Sequence, residues 1–464
     1  MPNSQSDTAR RDTLTSADAG VVASMLDLDR RARALERGVG GLLPRPRRVC
    51  MLSVHSCPLA APGGKETGGM NVYVRELSRQ LGRRGYLVDN YTRSESPDVP
   101  HILDTDLGPN VRVIHVVAGP ESHMDKADAW RYAPEFVAGV KGLIAAEGLD
   151  YDLYHSHYWM SGWVARQLAD RYPAPIVHMF HTLGVMKELA RRDGTIGELA
   201  QRQKVERDIA RFADTIVAGS GLDRDQIAQH YEADPGKLQV IPPGVDLDLF
   251  RPIPREVAVD FVGADPDARV VLFVGRPDPV KGLDTLVRAI SIVVEREPSL
   301  RDNACLCIIG GDKTDDPRRT DAEQIRIDAL RQELGLADFV KFLGAVPQGD
   351  LPYYYSLAEV LVVPSLYESF GMVALEAMAC GTPVIASDVG GLSTLVRDGR
   401  TGFLVPDSDP EALAEKLLPL LRDPALRRTL GYHGIATAEA YGWPSIAERI
   451  ERLYEATLAK AAAG

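Results

Sequence analysis

Cysteine is scarce in this chain, with five residues in 464, at positions 50, 57, 305, 307 and 380. Their spacing matches no zinc-ligand pattern and their number is odd, which argues against a metal finger or a disulfide framework. Cys305 and Cys307 stand two apart in an apolar run. They would share one face of a strand as buried thiols, which fits a reducing, cytoplasmic setting. Long apolar runs are also lacking: none approaches the roughly 18 residues that span a bilayer. Residues 1–45 are polar and charged and contain no apolar signal core. Basic charge is not in excess, since 53 Lys and Arg against 65 Asp and Glu give a formal charge of −12. That argues against nucleic acid or an anionic membrane as a general partner. An anionic ligand must then be met by individual cations, which gives Arg and Lys residues near strand ends particular weight.

A chain of this length exceeds one ordinary core, and two domains of roughly 200 residues each are expected. With 45% hydrophobic and 25% charged residues the composition is globular. From Arg48 onward, short β-branched runs alternate with longer helical segments. Strands are expected at Val49–Val54, Leu87–Tyr91, Val111–Val117, Leu153–His155, Ile176–Phe180, Thr215–Ala218 and Leu238–Ile241. Helices are expected at Met70–Arg84, Trp130–Glu147, Gly162–Arg171 and Gly197–Phe212. The rhythm breaks at Pro242-Pro243-Gly244 and then restarts, with strands at Val270–Val274, Cys305–Ile309, Val340–Leu343, Val360–Val363 and Pro383–Ala386. The helices of this second series are Leu283–Glu295, Glu323–Leu334 and Gly371–Ala379. The pattern is α/β, two Rossmann-like domains facing a central cleft with a hinge near 245–265. The expected division is a polar extension over 1–45, a first domain over 46–245, a second over 246–440, and a closing segment over 441–464. A helix over Ser445–Lys460 would pack back on the first domain, and Ala17–Gly38 could form another.

Ligands of open α/β sheets lie at the carboxyl ends of the strands, and four segments there carry chemistry. In Pro364–Ile385 a strand end is followed by Glu368, a helix start near Phe370-Gly371, and Glu376. Free helix N–H groups can hold phosphate, and the two glutamates can accept hydrogen bonds from sugar hydroxyls. Gly275-Arg276 and Lys281-Gly282 follow the first strand of their domain and could clamp a diphosphate. The glycine loop Gly63–Asn71 is neither a dinucleotide fingerprint nor a P-loop, but it follows the first strand of the other domain. His181 and Thr182 end another strand, and His155 and His157 lie on a neighbouring one. Ordinary structural readings exist for each: tight turns, solvated cations, satisfied core histidines.

Taken together, these segments and the run Thr67-Gly68-Gly69-Met70-Asn71-Val72-Tyr73 resemble a retaining glycosyltransferase of family 4 with the two-domain GT-B architecture. The resemblance covers residues 47–460. Within the family it is closest to the D-inositol-3-phosphate glycosyltransferases of mycothiol synthesis, then to sucrose-phosphate synthases. It implies a hexosyltransferase using a UDP-sugar, UDP-GlcNAc for the inositol group, and a small phosphorylated acceptor, 1D-myo-inositol 3-phosphate. The alternative acceptor is fructose 6-phosphate or that of another family 4 enzyme. By the resemblance, Arg276 and Lys281 hold the donor diphosphate with the backbone of Phe370, Gly371 and Met372. Gly69 faces the donor phosphates, Glu368 binds the donor sugar, Glu376 the ribose, and the backbone of Val346 the uracil edge. His181 sits near the transferred sugar and, with Glu368, Arg276 and Lys281, makes up the catalytic set. His55, Asn71, Lys126, Tyr158, Thr182 and Arg202 surround the acceptor. The chain departs from the pattern at Ala61, often glutamine in the family. Phe180–Lys187 leans toward the sucrose-phosphate group, and Met70-Asn71 toward the inositol group. The resemblance requires no cofactor for chemistry, implies a structural Mg²⁺ at Tyr355, Ser356, Ala358 and Thr382, and allows a homodimer.

Rival classes make different demands. A glycosidase would use Glu368 and Glu376 as an acid and a nucleophile, but it has no use for a phosphate cradle. A phosphorylase of similar build needs a lysine-bound pyridoxal phosphate, for which no clear site is seen. An epimerase would release a free sugar, and a binding protein would turn nothing over.

Overall fold

The computed structural model describes residues 45–60, 68–104, 107–190, 199–311 and 322–463. The unit from Arg48 to Gly464 is built on two sheets. The first holds β1 (Arg48–Leu52), β2 (Leu87–Arg93), β3 (Ile102–Asp104), β4 (Val111–Val116), β5 (Leu153–His157), β6 (Ile176–Met179), β7 (Thr215–Ala218) and β8 (Leu238–Val240). Their order is β3-β4-β2-β1-β5-β6-β7-β8, parallel except for the edge strand β3. The second holds β9 (Arg269–Val274), β10 (Ala304–Ile309), β11 (Val340–Gly344), β12 (Val360–Val363), β13 (Val384–Ser387) and β14 (Gly402–Val405), ordered β11-β10-β9-β12-β13-β14 and all parallel.

Both faces of each sheet are covered, which is why the strands read as continuous apolar runs. Side chains alternate faces along β1: Cys50 and Leu52 join one core with Phe136, Trp159 and Ile209, while Val49 and Met51 join another with Tyr73, Leu77 and Ile450. In the second sheet Val271 and Phe273 pack with Leu286 and Leu417, and Leu272 packs with Leu361 and Met378. The last helix, Trp443–Ala463, shares the core of Val49, Met51 and Tyr73. The chain at Val245 runs parallel beside the chain at Gly442. Val245 N–H donates to Tyr441 O at 2.9 Å and Trp443 N–H to Val245 O at 3.3 Å.

Several elements differ from expectation. The helix expected over Trp130–Glu147 is two helices, Lys126–Arg131 and Ala133–Glu147, parted at Tyr132. Pro134 has no N–H and its ring would crowd the carbonyl four residues back, which favours a fresh helix start with the proline in the first turn. The helix expected from Gly162 begins at Tyr158, directly after β5. The short edge strands β3 and β14 and the helices Gly184–Ala190, Gly221–Tyr231, Arg255–Val262, Leu351–Leu357, Pro410–Arg422 and Pro424–Ala438 add to those expected. The expected helix Ala17–Gly38 and the loop residues Ala61 and Gly63–Thr67 lie outside the described residues.

Strand order reverses between β1 and β5 in the first sheet and between β9 and β12 in the second. Such points open a crevice at the carboxyl ends of the strands. The loops leaving β1, β5, β6, β9 and β12 all line a single cavity of about 380 Å³.

Candidate active site

The second-domain wall depends on glycines that let three loops touch. Gly282 has φ 65°, and a Cβ there would stand 2.0 Å from Pro364 O. The two loops are joined by Leu366 N–H donating to Val280 O at 2.8 Å. This close approach brings Lys281 Nζ to 2.6 Å from Glu368 Oε2. Glu368 is gripped from behind: its carbonyl accepts from Gly391 N–H at 2.9 Å, and a Cβ on Gly390 would lie 1.8 Å from that oxygen. Gly371, at φ 99°, turns the chain into the helix Met372–Ala379. Ala374 and Leu375 N–H both return to Gly371 O. The amides of Met372 and Val373 therefore precede the first intrahelical bond, at the positive end of the helix.

One helical turn on, Glu376 faces the same cavity. Tyr355 OH donates to its Oε2 at 2.8 Å. Burial pushes the Glu376 carboxyl up to about 7, while hydrogen bonds from Tyr355 and Gln348 and the charge of Arg75 pull the other way.

On the first-domain wall, Asn71 Oδ1 accepts from Gly68 N–H at 3.0 Å and its Nδ2 donates to Cys57 O at 2.7 Å, tying the glycine segment to the end of β1. Gly69 lies against Met372 across the cleft, where a Cβ would come within 3.1 Å of the sulfur. Tyr158, at φ 72°, presents its ring to three groups. Lys126 Nζ lies 5.5 Å from the ring centroid, Arg202 Cζ 4.7 Å, and the His55 ring 4.5 Å. Burial, then the charges of Lys126 and Arg202, hold the His55 imidazole well below its usual range.

His55, Asn71, Lys126, Tyr158, His181, Thr182, Arg276, Lys281, Val346, Glu368, Phe370, Gly371, Met372, Glu376 and Gly69 all line this cavity. Arg202 does not. It stands behind the wall, 4% exposed, donating to Glu206 Oε1 at 2.8 Å, Tyr158 OH at 3.1 Å, and Thr182 O and Oγ1 at 2.5 and 3.1 Å. Glu206 in turn accepts from Gly184 N–H at 3.0 Å and Tyr231 OH at 2.5 Å. The pair is a buried brace that sets the loop carrying Thr182 and the hydroxyl of Tyr158.

His181 adopts φ 62°, a left-handed conformation that costs a β-carbon-bearing residue about 1 kcal/mol. Burial lowers its imidazole to about 3, so it is neutral at ordinary pH. Nε2 meets His157 Nδ1 at 2.9 Å. His155 and His157 are fully buried and do not reach the cavity.

Of the four residues suggested for Mg²⁺, Thr382 Oγ1 donates to Tyr355 O at 2.5 Å. Tyr355 O also accepts from Ala358 N–H at 3.1 Å. The set holds neutral oxygens only, whereas Mg²⁺ is ordinarily bound through one or two carboxylates. As placed they do not fit the ion, and no step runs through it.

Lys187 and Gln348 line the cavity without having stood out in the sequence, and Tyr367 joins the walls. Its OH accepts from Leu183 N–H at 3.3 Å, next to Thr182, while Arg75 Nη2 donates to Gln348 Oε1 from the other side. Lys187 had a signal in its charge one turn into the segment after His181-Thr182. Gln348 and Tyr367 had none beyond their neighbours.

A cleft between two parallel-sheet domains, with a cation-bearing loop, a helix start and two glutamates on one wall, defines a sugar-transferring enzyme of the GT-B architecture. The chain belongs to this family: residues 67–249 match Glycosyltransferase Family 4 and residues 255–437 match Glycosyl transferases group 1. It is 40% identical over 417 residues to D-inositol 3-phosphate glycosyltransferase 2 of Catenulispora acidiphila, covering 89% of this chain and 96% of that one. With D-inositol 3-phosphate glycosyltransferase of Actinosynnema mirum it shares 41% over 409 residues, covering 88% and 97%. Among solved structures, sucrose-phosphate synthase from Thermosynechococcus elongatus superposes with a TM-score of 0.81 at 38% identity, covering 89% of this chain and all of that one. The protein is a glycosyltransferase.

Proposed function

We propose that the enzyme transfers a sugar from a UDP-sugar, UDP-GlcNAc, to 1D-myo-inositol 3-phosphate with retention at the anomeric carbon, as a cytoplasmic step of mycothiol synthesis. The observation that carries the acceptor half is the group Lys126, Tyr158 and Thr182, braced by Arg202 on the first-domain wall of the cavity that holds Lys281 and Glu368. A protein of net charge −12 needs such a local cation to seat a phosphate. The names of the curated relatives at 40 and 41% identity agree with this acceptor.

In this reading Arg276, Lys281 and the amides at the start of helix Met372–Ala379 stabilise charge gathering on the departing diphosphate. The bond between the anomeric carbon and the phosphate oxygen breaks as the acceptor oxygen forms its own bond from the same face. The hydroxyl proton passes to the departing phosphate. Glu368 orients the sugar and Glu376 the ribose. The contacts of Tyr367 and Arg75 across the cleft keep water out, which favours transfer over hydrolysis.

A second reading, transfer to fructose 6-phosphate, draws on the 38% identity to the sucrose-phosphate synthase and shares every donor residue. The test is to offer UDP-GlcNAc, UDP-glucose and GDP-mannose, each with inositol 3-phosphate or fructose 6-phosphate. Product mass identifies the pair, and the anomeric proton coupling gives the stereochemistry. A product only with fructose 6-phosphate, or an inverted product, refutes the proposal.

A further inference from the structure

Two side chains behind the cavity wall decide which nitrogen His181 offers to a ligand. His157 Nε2 lies 2.9 Å from Met51 Sδ, and its Nδ1 lies 2.9 Å from His181 Nε2. A thioether sulfur carries no proton and can only accept. A bare imidazole nitrogen facing it would set lone pair against lone pair, so His157 Nε2 carries the hydrogen. Burial holds His157 well below its usual range and His181 at about 3, and a neutral imidazole has a single N–H. His157 Nδ1 is therefore bare and accepts, and His181 Nε2 must donate to it. That leaves His181 Nδ1 as the bare nitrogen. His181 lines the cavity, and among the described residues no hydrogen bond reaches this atom.

The surroundings hold the arrangement. Tyr73 packs edge-on to His181 at 5.2 Å between centroids and lies 5.6 Å from His157. The His155 ring lies tilted against His157, 4.3 Å between centroids, and is itself fixed by a 2.6 Å hydrogen bond between its Nδ1 and Tyr454 OH. Both rings are thus packed against aromatic neighbours.

We propose that Met51 and His157 are positioning residues that lock His181 in its Nε2–H tautomer, so that Nδ1 stands as hydrogen-bond acceptor for a hydroxyl of the transferred sugar. The second half rests on the sugar-transfer reading above; the tautomer does not. A hydroxyl that donates to Nδ1 is left with its oxygen facing other donors. The wrong tautomer would reverse that polarity.

The test is imidazole ¹⁵N NMR on the full-length, histidine-labelled enzyme without ligand, with the His181 signals assigned by their loss in His181→Asn. The expected spectrum has a pyrrole-type Nε2 and a pyridine-type Nδ1. Met51→Leu, which keeps the volume of the side chain, removes the acceptor facing His157 and should populate the opposite His181 tautomer. In the same variant kcat should fall about fivefold, the worth of one ordinary hydrogen bond, at unchanged acceptor KM. A pyrrole-type Nδ1 in the wild type, or a Met51→Leu spectrum like the wild type, overturns the lock. A donor lacking the contacted hydroxyl should be insensitive to Met51→Leu. If every singly deoxygenated donor still shows the full loss, the sugar contact is wrong while the tautomer assignment stands.

Discussion

Lys281 Nζ sits 2.6 Å from Glu368 Oε2, a contact between residues 87 apart that places a cation and an anion at the mouth of the same cavity. In the ligand-free protein each neutralises the other. A nucleotide sugar would offer both a replacement, diphosphate for the lysine and hydroxyls for the glutamate, so the pair is positioned before substrate arrives.

Lys281→Ala and Glu368→Ala should each lower transfer by about 10²-fold or more, the range seen when one preorganised electrostatic contact is removed. Both groups are partly open to solvent, so melting temperature should hardly move. The double variant should lose less than the product of the single losses, because each single change also leaves its partner unpaired. Near-normal turnover in either single variant would remove that residue from the donor site.

Glu376 makes opposite demands on stability and binding. Burial raises its carboxyl from an ordinary 4.5 to about 7, so the folded state favours the protonated form. The associated stability is fully present below about pH 4.5 and lost as pH rises toward 7, on the order of 3 kcal/mol. Glu376→Gln, which can keep the hydrogen bond from Tyr355, should therefore melt higher than the wild type at pH 8 and much like it at pH 4.5. Binding runs the other way. Ribose hydroxyls need the ionised acceptor, so UDP affinity in the wild type should weaken below pH 7, while Glu376→Gln binds weakly at every pH. Calorimetry across pH reads both. A wild-type UDP affinity that is flat from pH 5 to 8 would contradict this role.

The donor wall was legible because its chemistry is local. Val360–Val363, Pro364, Glu368 and Gly371 lie in one run, and a strand followed by a helix start puts them at a predictable edge. The acceptor wall is assembled from the loops after β1, β5 and β6 and from the helices Gly69–Arg83 and Lys126–Arg131, so residue type alone could not show which side chains reach the cavity. Arg202 illustrates the difference. Its partner Glu206 is four residues on along the same helix, a spacing that suggests a surface pair, yet the fold turns that face inward and the arginine becomes a brace. The start of the helix at Tyr158, directly after a strand that runs on to His157, left no turn residues between the two elements to mark it. A left-handed φ at a tyrosine is a tertiary choice that propensity does not reveal. The helix break at Tyr132, by contrast, was written in Pro134.

That distinction separates Arg202 from Lys126. Arg202→Ala leaves Glu206 buried without its counter-charge, and breaking such a pair typically costs 3–5 kcal/mol. The variant should melt substantially lower and, through Tyr158 and Thr182, raise the acceptor KM. Lys126→Ala should raise the acceptor KM by about tenfold with little change in melting, since Lys126 is half-buried on the wall itself. Donor KM should stay constant in both. If Arg202→Ala kept wild-type stability, Glu206 would have to be satisfied by Tyr231 and Gly184 alone.

Gly282 allows strain and steric conflict to be told apart, because Gly335 supplies a matched control. Both have φ 65°, but a Cβ at Gly335 meets nothing within 4 Å, whereas at Gly282 it would meet Pro364 O at 2.0 Å. Gly335→Ala should cost only the left-handed penalty, about 1 kcal/mol, with transfer unaffected. Gly282→Ala carries that penalty and must also push apart the loops that Leu366 N–H and Val280 O join, adding roughly 1–3 kcal/mol. Parting those loops draws Lys281 away from Glu368, so transfer should fall well beyond what the stability loss at assay temperature explains. Thermal melts paired with turnover on the two alanine variants decide the matter. Equal activity in both would mean that the Lys281–Glu368 alignment does not depend on the contact between their loops.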